Sequence, residues 1–84
     1  MIYKAKVFVK LRKSVMDPAG EATKSAAMKM GVEGIRNLRI GKFIEIELES
    51  KDKDDAIKNI EFLSERLFAN TVIEDWLVEV DSTD

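Results

Sequence analysis

Cysteine and histidine are both missing from the 84-residue chain. Without cysteine there is no disulfide, zinc knuckle or thiolate chemistry. Without histidine the commonest general base and the commonest metal ligand are gone. A basic excess is missing too: 14 lysines and arginines face 16 aspartates and glutamates, for a formal net charge of -2. Nucleic-acid modules usually declare themselves by a basic surface. No apolar run approaches the length of a membrane span. The opening MIYKAKVFVKLRK alternates charged and apolar residues, so it lacks the h-region of a signal peptide. These absences predict a cytoplasmic protein whose partners include neither nucleic acid nor membrane.

A chain of this length, residues 1–84, has room for one domain. Such a domain buries only about 60% of its unfolded surface. With no disulfide or metal to compensate, association with a second copy or a larger partner is the economical source of further stability.

Residues 2–11 alternate, with Tyr3, Ala5, Val7, Val9 and Leu11 against Ile2, Lys4, Lys6, Phe8 and Lys10, which predicts a strand. Asp17-Pro18 then supplies a helix N-cap followed by proline at the first helical position. The helix shows Ala19, Ala22, Ala26, Ala27 and Met30 on one side and stops at Gly31. A face of such small residues permits close approach. A second extended region runs from about Ile35 to Glu49, where Leu38, Ile40, Ile44, Ile46 and Leu48 share one parity. A two-residue hairpin at Gly41-Lys42 would invert that parity and bury Glu45 and Glu47. One long bent strand and two strands joined by a longer loop both remain open, with Gly41 at the kink.

Ser50 to Asp55 opens a second helix, with acidic residues in its first turn. Ala56, Ile57, Ile60, Leu63 and Leu67 form its apolar face, and Asn70 stands where a left-handed C-terminal cap is expected. The last predicted strand is Val72 to Val80, with Val72, Trp76, Val78 and Val80 inward and Ile73, Asp75, Leu77 and Glu79 outward. Asp81 to Asp84 reads as a frayed tail. The order β-α-β(β)-α-β predicts an α+β two-layer sandwich: an antiparallel sheet of three to four strands with two helices on one face, a ferredoxin-like variant. The first strand then lies near the sheet centre, where Lys4, Lys6 and Lys10 pair across strands with Glu45, Glu47 and Glu79.

On the side of the sheet away from the helices, Ile2, Phe8, Phe43, Ile73 and Leu77 stand among those charges. Single exposed apolar residues are ordinary, but their recurrence on several strands predicts a contiguous self-association face.

Chemistry is hard to build from what is present. Ser14, Ser25, Ser50, Ser64 and the threonines have no histidine to activate them, so no catalytic residue is assigned. Glu45, Glu47 and Glu49 share one sheet face and read as solvated charge. Asp52, Asp54 and Asp55 lack the glycine and terminal glutamate of a calcium loop, so no metal site is assigned. Arg39-Ile40-Gly41-Lys42 falls far short of a nucleotide-binding GxxxxGK[ST] loop. Arg36, Arg39 and Lys42 fit equally well as the polar rim of an interface.

Three segments go further: VMDPAGEA (Val15–Ala22), LRIGKFIEIEL (Leu38–Leu48) and LFANTVIEDW (Leu67–Trp76). In this order and spacing they resemble PurS, the small subunit of phosphoribosylformylglycinamidine (FGAM) synthase, over nearly the whole chain. Thr71 stands where some members of that family carry proline. The resemblance implies a subunit that performs no bond-making itself. It implies a required part of a glutamine-dependent, ATP-consuming ligase of de novo purine biosynthesis in the cytoplasm. The implied partners are a PurL-type synthetase subunit, a PurQ-type glutaminase subunit, and a second copy in a homodimer or dimer of dimers. The implied cofactors, ATP and magnesium, belong to the synthetase, with none bound by this chain. On that reading Arg39, Gly41 and Lys42, together with Thr71 and Glu74, form a subunit-docking corner. The rival reading is a small ferredoxin-like regulatory module that binds a ligand.

Overall fold

The computed structural model describes residues 1–82. The elements are β1 (Ile2–Leu11), α1 (Pro18–Lys29), β2 (Lys42–Glu49), α2 (Lys53–Leu63) and β3 (Glu74–Ser82), with a π-helical turn (Ser64–Phe68) extending α2. The three strands form one sheet in the order β2-β1-β3, antiparallel throughout. The α+β class and the central place of the first strand are as the sequence predicts.

Alternation along β1 is what builds the core. Tyr3, Ala5, Val7 and Val9 point to one side and are almost fully buried against Ala56 and Ile60 of α2 and Val80 of β3. Ile44, Ile46, Leu48, Trp76 and Val78 pack around them from the flanking strands. On the opposite face the charges match across the sheet: Lys4 lies between Glu47 and Asp81, and Lys6 between Glu45 and Glu79. Lys10 is the exception to the predicted pairing, since its neighbour on β3 is Asp75.

Helix α2 lies against β1 and β3. Its N-cap is Asp52, whose carboxylate accepts from the Asp55 amide at 2.7 Å. The apolar face holds through Leu63 and then changes phase. The π-helical turn carries one extra residue per turn, so Ser64 and Phe68 turn inward while Leu67, predicted to be core, is 71% exposed. The buried Ser64 hydroxyl is satisfied by donating to the Ile60 carbonyl at 2.8 Å.

Four further expectations are corrected. Gly34 to Gly41 is neither a bent strand nor one arm of a hairpin: β2 starts only at Lys42, because the Ile40 amide donates to the Asp17 carboxylate instead of to a ladder. Asn70 is not in the left-handed region. It forms an Asx turn, its side-chain oxygen accepting from the Val72 amide at 3.2 Å and its carbonyl from the Glu74 amide at 2.7 Å. That turn places Val72 outside β3 and 79% exposed. Asp81 and Ser82, expected to fray, extend β3 opposite Lys4 and Tyr3; residues 83 and 84 lie outside the described residues.

Helix α1 starts where the sequence places it, with Asp17 as N-cap and Pro18 following. It makes no more than marginal contact with the sheet, and its alanine face, Ala19, Ala22 and Ala26, is exposed. The sheet therefore carries one packed helix and one projecting helix. The molecule measures 50 × 28 × 14 Å with a radius of gyration of 16.4 Å, against about 12 Å for a compact chain of this length.

Candidate functional site

The predicted corner residues converge, and the structure gives most of them work within the chain. Gly41 is required by a close crossing: a Cβ there would stand 2.5 Å from the Val9 carbonyl oxygen. Nη2 of Arg39 donates to the carbonyls of Arg12 and Val15, both at 2.8 Å, and tethers the loop between β1 and α1. Lys42 donates to the Phe68 carbonyl at 2.7 Å, closing the end of the π-helical turn, and lies 3.9 Å from Glu74. The Glu74 carboxylate accepts from the Asn70 amide at 2.7 Å. The Thr71 carbonyl takes the Arg12 guanidinium at 2.6 Å, while the Thr71 side chain is left exposed. The corner is thus a clasp that joins the start of β2 to the ends of β1, α2 and β3.

Asp17 anchors the same region from the other side. One carboxylate oxygen accepts from the Gly20 amide at 3.0 Å, capping α1, and the other from the Ile40 amide at 2.7 Å. The Ile40 and Gly20 amides, with help from the Arg39 charge, hold its carboxyl below the ordinary value of 3.8 against the opposing pull of burial. Sequence reasoning finds the capping half, because the cap is local. The bond to Ile40 spans 23 residues and leaves no local signal.

The predicted self-association face divides. Phe43, Phe8 and Leu77 stand side by side across the three strands in register. The Phe8 and Phe43 rings stack with centroids 5.0 Å apart and an interplanar angle of 23°. All three are exposed, Leu77 at 62%. Ile73 sits just before β3, its carbonyl accepting from the Arg12 amide at 2.9 Å, at the margin of this row. Ile2 is on the same face but six residues along β1 from Phe8, about 20 Å away. A depression of about 640 Å³ is lined by the phenylalanine row, Arg39, Ile40, Trp76 and Leu77.

A second hollow, of about 580 Å³, opens beside it at the end of β1. Lys10, Arg12, Lys13 and Arg39 line it together with Ser14 and Asn37. Its carboxylate is that of Asp75, which takes Nε of Arg12 at 3.2 Å. Arg12, Lys13 and Asn37 are residues that the sequence does not single out, because they come together only when the 31–41 segment folds back past the end of β1.

Among the described residues, no cluster of acidic side chains is placed to hold a metal ion, and no helix is long and apolar enough to cross a membrane. What the fold offers outward is an apolar row on an open sheet face, a helix largely free of its own sheet, and a preformed polar corner. Those features define a small α+β assembly module.

Comparison with known proteins names the module. The chain belongs to the PurS family, phosphoribosylformylglycinamidine (FGAM) synthase, whose family model matches residues 4–82. It is 41% identical to phosphoribosylformylglycinamidine synthase subunit PurS of Bacillus subtilis over 80 residues, covering 95% of this chain and 94% of that protein. It is also 41% identical to the PurS subunit of a Synechocystis species, over 93% of this chain and 78% of that protein. The solved structure of Bacillus subtilis PurS superposes with a TM-score of 0.85, covering 95% of this chain and 99% of that one. A chain in the structure of PurLQS from Thermotoga maritima superposes with a TM-score of 0.87 at 29% identity, covering 96% of this chain and 99% of that one.

Proposed function

We propose that this chain is the small subunit of an FGAM synthase, a glutamine-dependent, ATP-consuming ligase of de novo purine biosynthesis in the cytoplasm. The observation that carries the reading is full-length likeness in sequence and fold to PurS subunits, one of them within PurLQS. The chain supplies no bond-making group. ATP and magnesium serve the PurL-type synthetase, and glutamine serves the PurQ-type glutaminase.

The physical need for such a subunit lies in the intermediate. Ammonia released into water at neutral pH is mostly protonated and no longer nucleophilic, so the glutaminase and the amidating site must be held in register. A rigid bridging module provides that register, and small misplacements of reacting groups are costly in rate. The clasped corner of Arg39, Gly41, Lys42, Thr71 and Glu74 suits a docking edge, because its shape is fixed before a partner arrives. The Phe43–Phe8–Leu77 row, with Ile73 at its margin and Ile2 farther along the face, suits contact with a second copy.

The test is reconstitution. Purified synthetase and glutaminase subunits from the same source are mixed with glutamine, ATP and formylglycinamide ribonucleotide, and this chain is titrated in. Glutamine-dependent amidation that appears on addition and saturates at a fixed ratio is the expected result. Full activity without the chain would overturn the reading.

A further inference from the structure

The hollow at the end of β1 borders both surfaces assigned to assembly, sharing Arg39 with the docking corner and adjoining the phenylalanine row through Lys10. It concentrates positive charge in a protein whose net charge is -2. Two of its cations, Lys10 and Lys13, make no ion pair among the described residues, whereas Arg12 is taken up by Asp75 and the Thr71 carbonyl. Arg39 is a different kind of cation. Its Nη2 is spent on backbone carbonyls, which fixes the plane of the guanidinium and leaves Nη1 and Nε as separate donors. Carbonyls hold the group without neutralising it.

We propose that this hollow binds the phosphate group of a small phosphorylated ligand, with Lys10, Lys13 and the fixed Arg39 guanidinium supplying the charge. Several features favour phosphate over a carboxylate. With Arg12 paired to Asp75, the other three cations leave excess charge that a single carboxylate would not balance, and a multiply charged anion does. A guanidinium already held in place by backbone carbonyls loses little rotamer freedom on binding. Ser14 and Asn37 add uncharged donors at the wall. A volume of about 580 Å³ is in the range of small-ligand sites. The source of the phosphate, a nucleotide or a bare oligophosphate, is separated by experiment.

The experiment is calorimetric titration of the full chain with pyrophosphate and, separately, with ADP, at low and at physiological salt. Saturable binding of pyrophosphate that weakens as salt rises is expected. Lys10→Ser with Lys13→Ser should weaken it about tenfold or more. Neither side chain is used inside the fold, so the melting temperature should not move. Because Lys10 adjoins the phenylalanine row, Lys13→Glu alone is the second variant. It lies off the sheet and should weaken binding without altering sedimentation. ADP tighter than pyrophosphate assigns the hollow to a nucleotide; equal affinities assign it to the phosphate group alone. Absence of saturable binding, or binding unchanged in both variants, overturns the proposal. If phosphate does not bind and the variants instead weaken association with the synthetase and glutaminase subunits, the cations belong to the docking surface. In that case the proposal fails while the assignment to the synthase stands.

Discussion

The carboxylate of Asp17 and the amide of Ile40 lie 2.7 Å apart, and that bond decides where β2 begins. Because Ile40 gives its proton to a side chain, the chain joins the sheet only at Lys42, whose partner on β1 is Val9.

This bond makes stability depend on pH. The Asp17 carboxyl titrates below its ordinary value of 3.8 in the folded state, so the unfolded chain binds the proton more readily. Its contribution is complete above 3.8 and is lost as pH falls through the lower folded value. Asp17→Asn keeps a cap for α1 but presents an amide to Ile40. The variant should melt below the wild type at neutral pH, and the gap should close as pH is taken below 3.8. Thermal melts of both proteins across pH read this; a constant gap would locate the effect elsewhere.

Gly41→Ala forces a methyl against the Val9 carbonyl at 2.5 Å, where only backbone can yield. The expected loss is about 1–3 kcal/mol, measured by urea denaturation. A substitution without effect would show that the crossing of 41 over β1 is loose.

The phase change at the π-helical turn is tested by two truncations. Ile60 is fully buried, and Ile60→Ala should cost about 2–5 kcal/mol. Leu67→Ala, four residues past Leu63 and 71% exposed, should stay within about 0.5 kcal/mol. A regular helix through Leu67 would make the second substitution costly as well.

Leu77→Lys puts a charge in the exposed apolar row at a site that is 62% open. The fold should be unaffected, and sedimentation should shift toward the monomer. Unchanged association would remove this row as the contact between copies.

Much of this was legible in the sequence because it is local. The alternation of residues 2–11 gave β1 with its observed bounds, and Asp17-Pro18 gave the start of α1. The order and spacing of the DPxG, RxGK and VIED segments gave the family. The rest depends on contacts far apart in the chain. Heptad-like spacing carries no mark of the π-helical turn that rotates Leu67 outward. Parity extended naturally through Gly41, since nothing between residues 35 and 41 reveals that an aspartate 23 positions earlier claims the Ile40 amide. Arg39, Gly41 and Lys42 stand out in the sequence as two cations around a glycine, and Thr71 and Glu74 join them through the resemblance to the family. Their bonds to the Arg12, Val15 and Phe68 carbonyls could be seen only in three dimensions.

The projection of α1 away from the sheet has a consequence for how this protein keeps its shape. A helix of 12 residues is marginal in water when nothing packs on it. Its amides should exchange with solvent early in the isolated chain, while those of β1 exchange late. Whatever covers the alanine face then shields α1 and shifts its exchange toward that of β1. Ordering of α1 and assembly become one equilibrium, so the melting temperature rises with the concentration of the partner that covers it.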